Sequence, residues 1–250
     1  MGITSQLKKT VQRALMARGY AIEKFKHTGV APLDVFDLIV RNHMARTDDF
    51  FFLQVGANDG VRFDPIHPYI KEFHWQGILV EPVPYLFDSL RENYKDEPQL
   101  LFERAALARE DGTVPFHALR DEADVPEAVR GLGSMDRNVI LAHGKYVPGI
   151  EALIEEISVP AMTVMTLLRK HGVDKLDLLQ VDTEGFDYEI LKMLDFAALK
   201  PAIIRFEHIH LSSADWREAC HMLAGHGYRL ACKGLDTMAY LQPKRDRTRG

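Results

Sequence analysis

Phe52-Leu53-Gln54-Val55-Gly56-Ala57-Asn58-Asp59-Gly60 is an apolar run that passes straight into a glycine-bearing turn. Glycines there let the backbone turn sharply and approach a ligand with no side chain in the way. A pyrophosphate loop carries G-x-G-x-x-G; here the spacing is Gly56, Asn58, Gly60, so the second glycine is Asn and the third is missing. The turn disfavours a dinucleotide and leaves open a nucleoside ligand without phosphates.

Outward from this stretch, short apolar runs at 50–55, 77–81, 100–105, 176–182 and 202–207 alternate with helical segments at 67–73, 85–94, 165–171, 188–194 and 216–225. That alternation predicts strand–helix–strand units around a doubly wound, mostly parallel α/β sheet, and nearly continuous apolar runs are expected of strands covered on both faces. Runs at 228–232 and 237–241 would finish the sheet as a hairpin. The stretch 119–158 breaks the rhythm, with Gly131, Gly133, Ser134, Asp136 and Asn138 followed by a helix-like segment ending near Ile157. It reads as a lid or substrate insertion. The expected organisation is a helical extension over 1–49, a catalytic domain over 50–242 and a basic tail over 243–250.

Composition agrees with a globular chain: 250 residues, 46% hydrophobic and 27% charged, which excludes disorder, collagen and a disulfide scaffold. Cys220 and Cys232 are too few to brace the fold and read as reduced. No window has the ~18–20 consecutive apolar residues of a membrane span, nor the first thirty residues a signal-peptide core, so a cytoplasmic location is expected. Residues 1–30 carry Lys8, Lys9, Arg13, Arg18, Lys24 and Lys26 against Glu23, a net +5, which leaves −10 to the remainder of a chain whose total is −5. An acidic body argues against nucleic acid as a partner. Ile3, Leu7, Val11 and Leu15 predict a basic amphipathic helix, and a homodimer through the N-terminal helices is expected. A second helix follows, starting near Pro32, Asp34 and Asp37, with Val35, Leu38 and Ile39 as its apolar side.

Three further stretches carry chemistry. Gly77-Ile78-Leu79-Val80-Glu81-Pro82 delivers an acid to the end of the second strand, where a carboxylate can accept both hydroxyls of a ribose. Leu176-Asp177-Leu178-Leu179-Gln180-Val181-Asp182-Thr183-Glu184-Gly185 brings two acids to the same edge, where mutual repulsion and burial tune one as a base, or where Asp182 faces a cationic centre. Arg205-Phe206-Glu207-His208-Ile209-His210 adds an acid and two histidines. His208, held by Glu207 or Glu184, is the expected proton acceptor, ahead of His210. Asp182, Glu207 and His208, with Glu184 beside them, would alternatively chelate a divalent cation such as Mg. Asp64 and His67 lie over the same edge and read first as a proline-fixed loop start.

As a set, Val55-Gly56-Ala57-Asn58-Asp59-Gly60, Leu79-Val80-Glu81-Pro82, Arg104-Ala105-Ala106-Leu107, Asp177–Asp187 and Glu207-His208 resemble the FkbM family of S-adenosylmethionine-dependent methyltransferases, in family order from about residue 50 to 210. The resemblance implies a class I methyltransferase fold, Rossmann-like, with seven strands and an antiparallel last strand. It implies that Gln54, Gly56, Asn58 and Gly60 approach the methionine end of S-adenosyl-L-methionine, that Glu81 holds the ribose, that Ala105 and Ala106 border the adenine, and that Asp182 lies by the cofactor. It departs from the family at Gln54, often Asp there, and at Arg104, often Asn. The activity implied is O-methylation of a hydroxyl on a small-molecule or glycan acceptor, with Asp182, Glu184 and His208 as catalytic residues. A nicotinamide-dependent oxidoreductase and a degenerate domain kept as a binding module are the alternatives.

Overall fold

The computed structural model describes residues 34–121 and 123–242. The basic helix expected over 1–30, Pro32 and the tail at 243–250 therefore lie outside the described residues, and with them the expected dimer contact. Among the described residues no helix is long and apolar enough to cross a membrane.

Helix α1 (Val35–Met44) begins where Asp34 accepts the N–H groups of Phe36 and Asp37, satisfying donors that the first turn leaves unpaired. Its buried side is Phe36 and Val40, one turn apart, whereas Leu38 is 53% exposed. Of the expected apolar side, Val35 and Ile39 pack partly buried against the core and only Leu38 is corrected, because the helix is rotated so that Phe36 meets the edge of Tyr69 and the guanidinium of Arg205. Packing selects one of two adjacent apolar stripes.

The chain then alternates as β1 (Phe51–Val55), α2 (His67–Phe73), β2 (Gln76–Val80), α3 (Pro84–Asn93) and β3 (Leu100–Glu103). Two short strands, β4 (Ala106–Leu107) and β5 (Gly112–Leu119), lead into the insertion, which holds β6 (Gly133–Ser134) and α4 (Arg137–Leu141) and returns through β7 (Ile154–Met162). The second half runs α5 (Val164–Lys170), β8 (Leu178–Val181), α6 (Asp187–Lys192), β9 (Ile203–Glu207), α7 (Ser213–Gly225), β10 (Arg229–Lys233) and β11 (Asp236–Tyr240).

Seven strands form the main sheet in the order β3-β2-β1-β8-β9-β11-β10. The first five are parallel, β11 runs antiparallel to β9, and β10 and β11 form the expected hairpin. Residues alternate between two cores: Leu53 and Val55 of β1 join Leu179 and Val181 of β8 on one face, and Phe52 joins Leu178 and Ile203 on the other. Each such fully buried side chain contributes about 1.5–3 kcal/mol. Connections leave β1 and β8 in opposite directions along the sheet, so the crevice at their carboxyl ends is the place where an open α/β sheet binds ligands.

A second sheet, in the order β4-β7-β5-β6, departs from the expectation. The segment expected to be helix-like is largely helical through Leu153, but its end near Ile157 is instead part of β7, laddered antiparallel to β5 from Gly112 opposite Ala161 to Leu119 opposite Ile154. Its glutamates favour a helix locally, but the cross-strand pairing with β5 decides the matter. The insertion between these strands has its own small core of Leu119, Val125, Val129, Leu132, Ile140, Val147 and Ile150.

Candidate active site

A cavity of about 430 Å³ opens at the carboxyl edge between β1, β2 and β8, roofed by Glu127, Arg130, Gly131, Leu132, Gly133 and Met135 of the insertion. Its size suits a small organic ligand.

The first wall is the turn after β1. The N–H groups of Gly56 and Ala57 both donate to the carbonyl of Val80, pinning the turn to the end of β2. Gly56 has φ +76°, and a Cβ there would run into the backbone carbonyl of Asp182. Asn58 also sits in the left-handed region, at φ +50°, a conformation that Asn tolerates better than most residues. Its N–H donates to Oε2 of Glu81 at 2.8 Å, and its Nδ2 donates to the carbonyl of Gly131 at 3.4 Å. Gly60 is not among the lining residues; a Cβ there would strike Tyr94, whose hydroxyl donates to the Gly60 carbonyl at 2.7 Å, so this glycine lets the turn pack on that ring.

Glu81 is buried at the strand end, with Oε1 accepting the N–H of Val83 at 2.9 Å and Oε2 that of Asn58. Burial pushes its carboxyl up to about 7, against the pull of those two donors. Each oxygen keeps a lone pair directed elsewhere, so the group is oriented without being saturated. Ala105 and Ala106 are buried and line the cavity, whereas Arg104 beside them is exposed.

Gln54 is buried on the floor, its Nε2 donating to Oδ2 of Asp64 at 3.1 Å while Oε1 has no partner. Gln180 stands beside it in the β1/β8 register, equally buried, also with an unpaired Oε1. Sequence reasoning passed over Gln180, since nothing local separates it from its apolar neighbours. Asp64 lines the cavity and also accepts the N–H groups of Ile66 and His67, as a loop start should. His67 turns instead to the hydroxyl of Tyr94, 2.9 Å from Nδ1.

Asp182 and Glu184 follow β8 and both line the cavity, as does Glu207 at the end of β9. Asp182 is open to the cavity yet set deep among the strand ends; desolvation, then the charges of Glu184, Asp187 and Asp236, raise its carboxyl well above the usual range. Glu207 is pushed up to about 10 by burial and by Asp182 and Glu184. Asp187 braces the two strand ends, accepting from the Thr183 hydroxyl at 2.9 Å and from the Glu207 N–H at 3.2 Å.

Neither histidine after β9 lines the cavity, and the two face different neighbours: the His208 ring stacks on Trp216, with centroids 4.9 Å apart, and its Nδ1 lies 3.1 Å from Oγ1 of Thr237. The imidazole that joins the acids is His210, whose Nε2 lies 2.8 Å from Oε2 of Glu184 and 3.7 Å from Oε2 of Glu207. Of the residues expected around a cation, Glu184 and Glu207 lie with His210, their ligand atoms within 4.8 Å of one another, whereas His208 faces Thr237. His143 of the insertion, with its ring centroid 5.8 Å from that of His210, had no signal in the sequence. The Ser134 hydroxyl donates to the Glu184 carbonyl at 2.9 Å, tying the insertion to this loop.

Residues 54–230 match the sequence model of the methyltransferase FkbM domain. Among solved structures the chain is similar to the methyltransferase FkbM from Methylobacillus flagellatus KT, at 11% identity and TM-score 0.50, over 86% of this chain and 46% of that one. It is also similar to a precorrin-6y C5,15-methyltransferase from Geobacter metallireducens GS-15, at 13% identity and TM-score 0.42, over 88% and 94% of the two chains. A third is the N-terminal domain of human METTL16 in complex with SAH, at 11% identity and TM-score 0.41, over 94% and 81%. This chain spans just under half the length of the Methylobacillus protein, and the likeness to it speaks for the fold alone. No curated protein matches the chain in sequence.

Proposed function

The chain belongs to the FkbM methyltransferase family, and from that premise we propose that it is an S-adenosylmethionine-dependent O-methyltransferase acting on a sugar hydroxyl of a glycan, glycolipid or glycosylated natural product. The observation that carries this reading is the single cavity in which Gly56, Asn58, Glu81, Ala105, Ala106 and Asp182 share walls with the acids Glu184 and Glu207.

The residues present fit the cofactor. Glu81 has two oriented oxygens for a ribose diol, Gly56 and Asn58 give close backbone approach, and the unpaired amide oxygens of Gln54 and Gln180 suit an ammonium group. When bound, S-adenosylmethionine supplies an already activated methyl group. The protein then has two tasks: to align the acceptor oxygen for in-line attack, and to accept one proton. Asp182 and Glu184 accept hydrogen bonds from the acceptor's hydroxyls, and His210, oriented by Glu184, takes the proton. Glu184, Glu207 and His210 would hold a divalent cation in a second version of the same transfer, and that ion would supply Lewis-acid activation of the acceptor hydroxyl. Assays with Mg²⁺ and with EDTA separate the two versions.

The test is isothermal titration with S-adenosylhomocysteine of the wild type and of Glu81→Ala. Micromolar binding that is lost in the variant supports the reading. A correctly folded wild type that does not bind overturns it and returns attention to nicotinamide cofactors.

A further inference from the structure

Phe63 is 79% exposed, the highest value for any large apolar side chain among the described residues, and its backbone sits at φ +56°. A bulky residue in the left-handed region is disfavoured, and a bare phenyl ring in water forgoes its burial. Neither cost comes from a loose loop. On one side, Oδ1 of Asp59 accepts the N–H groups of Val61 and Arg62 at 3.0 and 2.9 Å, and Oδ2 pairs with the Arg62 guanidinium. On the other, Asp64 is fixed by Ile66, His67 and Gln54. Phe63 is the link between two pinned aspartates, which is how strained conformations persist at ligand sites.

The ring lines the same cavity as Asp182, Glu184 and Glu207, and so does Leu235 from the β10–β11 turn, itself 47% exposed. The cavity therefore combines an apolar rim with an acceptor-rich edge. A pyranose has matching faces: a ring of C–H groups that packs on the electron-rich face of an aromatic, and hydroxyls that donate to carboxylates.

We propose that Phe63 is the acceptor platform, stacking on the C–H face of a pyranose and selecting cyclic sugars over acyclic polyols. The inference rests on the sugar O-methyltransferase reading above. The test assays transfer of a radiolabelled methyl group to methyl glucopyranoside, galactopyranoside and mannopyranoside, with an acyclic hexitol as the counter-probe, in wild type, Phe63→Ala and Phe63→Trp. S-adenosylhomocysteine affinity is measured on all three by titration. The expected result is that Phe63→Ala raises KM for the preferred pyranoside roughly tenfold, with kcat and S-adenosylhomocysteine affinity within about twofold, and that Phe63→Trp restores KM. An unchanged KM in Phe63→Ala overturns the platform. So does a wild type that binds S-adenosylhomocysteine but methylates no pyranoside, or that prefers the hexitol. A wild type that does not bind S-adenosylhomocysteine sinks the parent reading, and the platform with it.

Discussion

Oε2 of Glu81 accepts the backbone N–H of Asn58 at 2.8 Å, so the carboxylate at the end of β2 holds the glycine turn that follows β1. The two residues lie 23 positions apart, and their contact sets the shape of this wall of the cavity. It also places an ionisable group where burial strains its charge, which gives the first prediction.

Burial raises Glu81 from 4.5 to about 7. The folded chain therefore binds that proton more tightly than the unfolded chain, and the stability it contributes is fully present below about pH 4.5 and lost as pH rises through 7. The difference amounts to about 3 kcal/mol. Glu81→Gln removes the titration, so its stability relative to wild type should improve by about 2–3 kcal/mol between pH 5 and pH 8, read from urea unfolding at the two pH values. A gap independent of pH would show that Glu81 is ionised in the fold throughout.

Gly56→Ala should be the most damaging change in the turn. Its Cβ meets the Asp182 carbonyl, which is backbone and cannot swing aside, and its φ is +76°. A loss above about 2 kcal/mol is expected, with S-adenosylhomocysteine binding abolished. Asn58→Gly keeps both the left-handed backbone and the N–H to Glu81 and should stay within about 1 kcal/mol of wild type, whereas Asn58→Ala should lie below it by a further ~1 kcal/mol. Thermal melts rank the three, and a harmless Gly56→Ala would mean that the β1 and β8 ends are not in close contact in solution.

The two histidines should separate by assay. His208→Ala loses the stack on Trp216 and the contact with Thr237, costing about 1–2 kcal/mol of stability while leaving kcat in place. His210→Ala should lower kcat by about 10²–10⁴ with little change in melting temperature. The reverse pattern would return the proton to His208.

Helix α1 offers a control on packing. Val40 is fully buried and Leu38 is half exposed, so Val40→Ala should cost about 1–3 kcal/mol and Leu38→Ser no more than about 0.5 kcal/mol. Equal effects of the two changes on unfolding would place the helix in the orientation that its sequence alone suggests.

Features written in local pattern could be read from the residues before any packing was known. The five parallel strands and the final hairpin were legible in the alternation of apolar runs and helical segments, because a strand buried on both faces must be apolar throughout. Gly56, Asn58, Glu81, Ala105, Ala106, Asp182 and Glu184 were legible as neighbours, because parallel strands deliver their carboxyl ends to one edge. Tertiary structure alone decided whatever depends on rotation about an element or on pairing across the chain. His208 and His210 are two residues apart at the end of one strand, and only the packing of Trp216 and the position of Glu184 tell which imidazole meets the acids. Phe36 and Leu38 are both apolar, and only the sheet beneath selects the buried one. Residues 154–162 carry helix-favouring glutamates, yet form a strand because β5 supplies its hydrogen-bonding partner. Local sequence encodes propensity and period, but a side chain's neighbours are set by contacts tens of residues away, which no local pattern records.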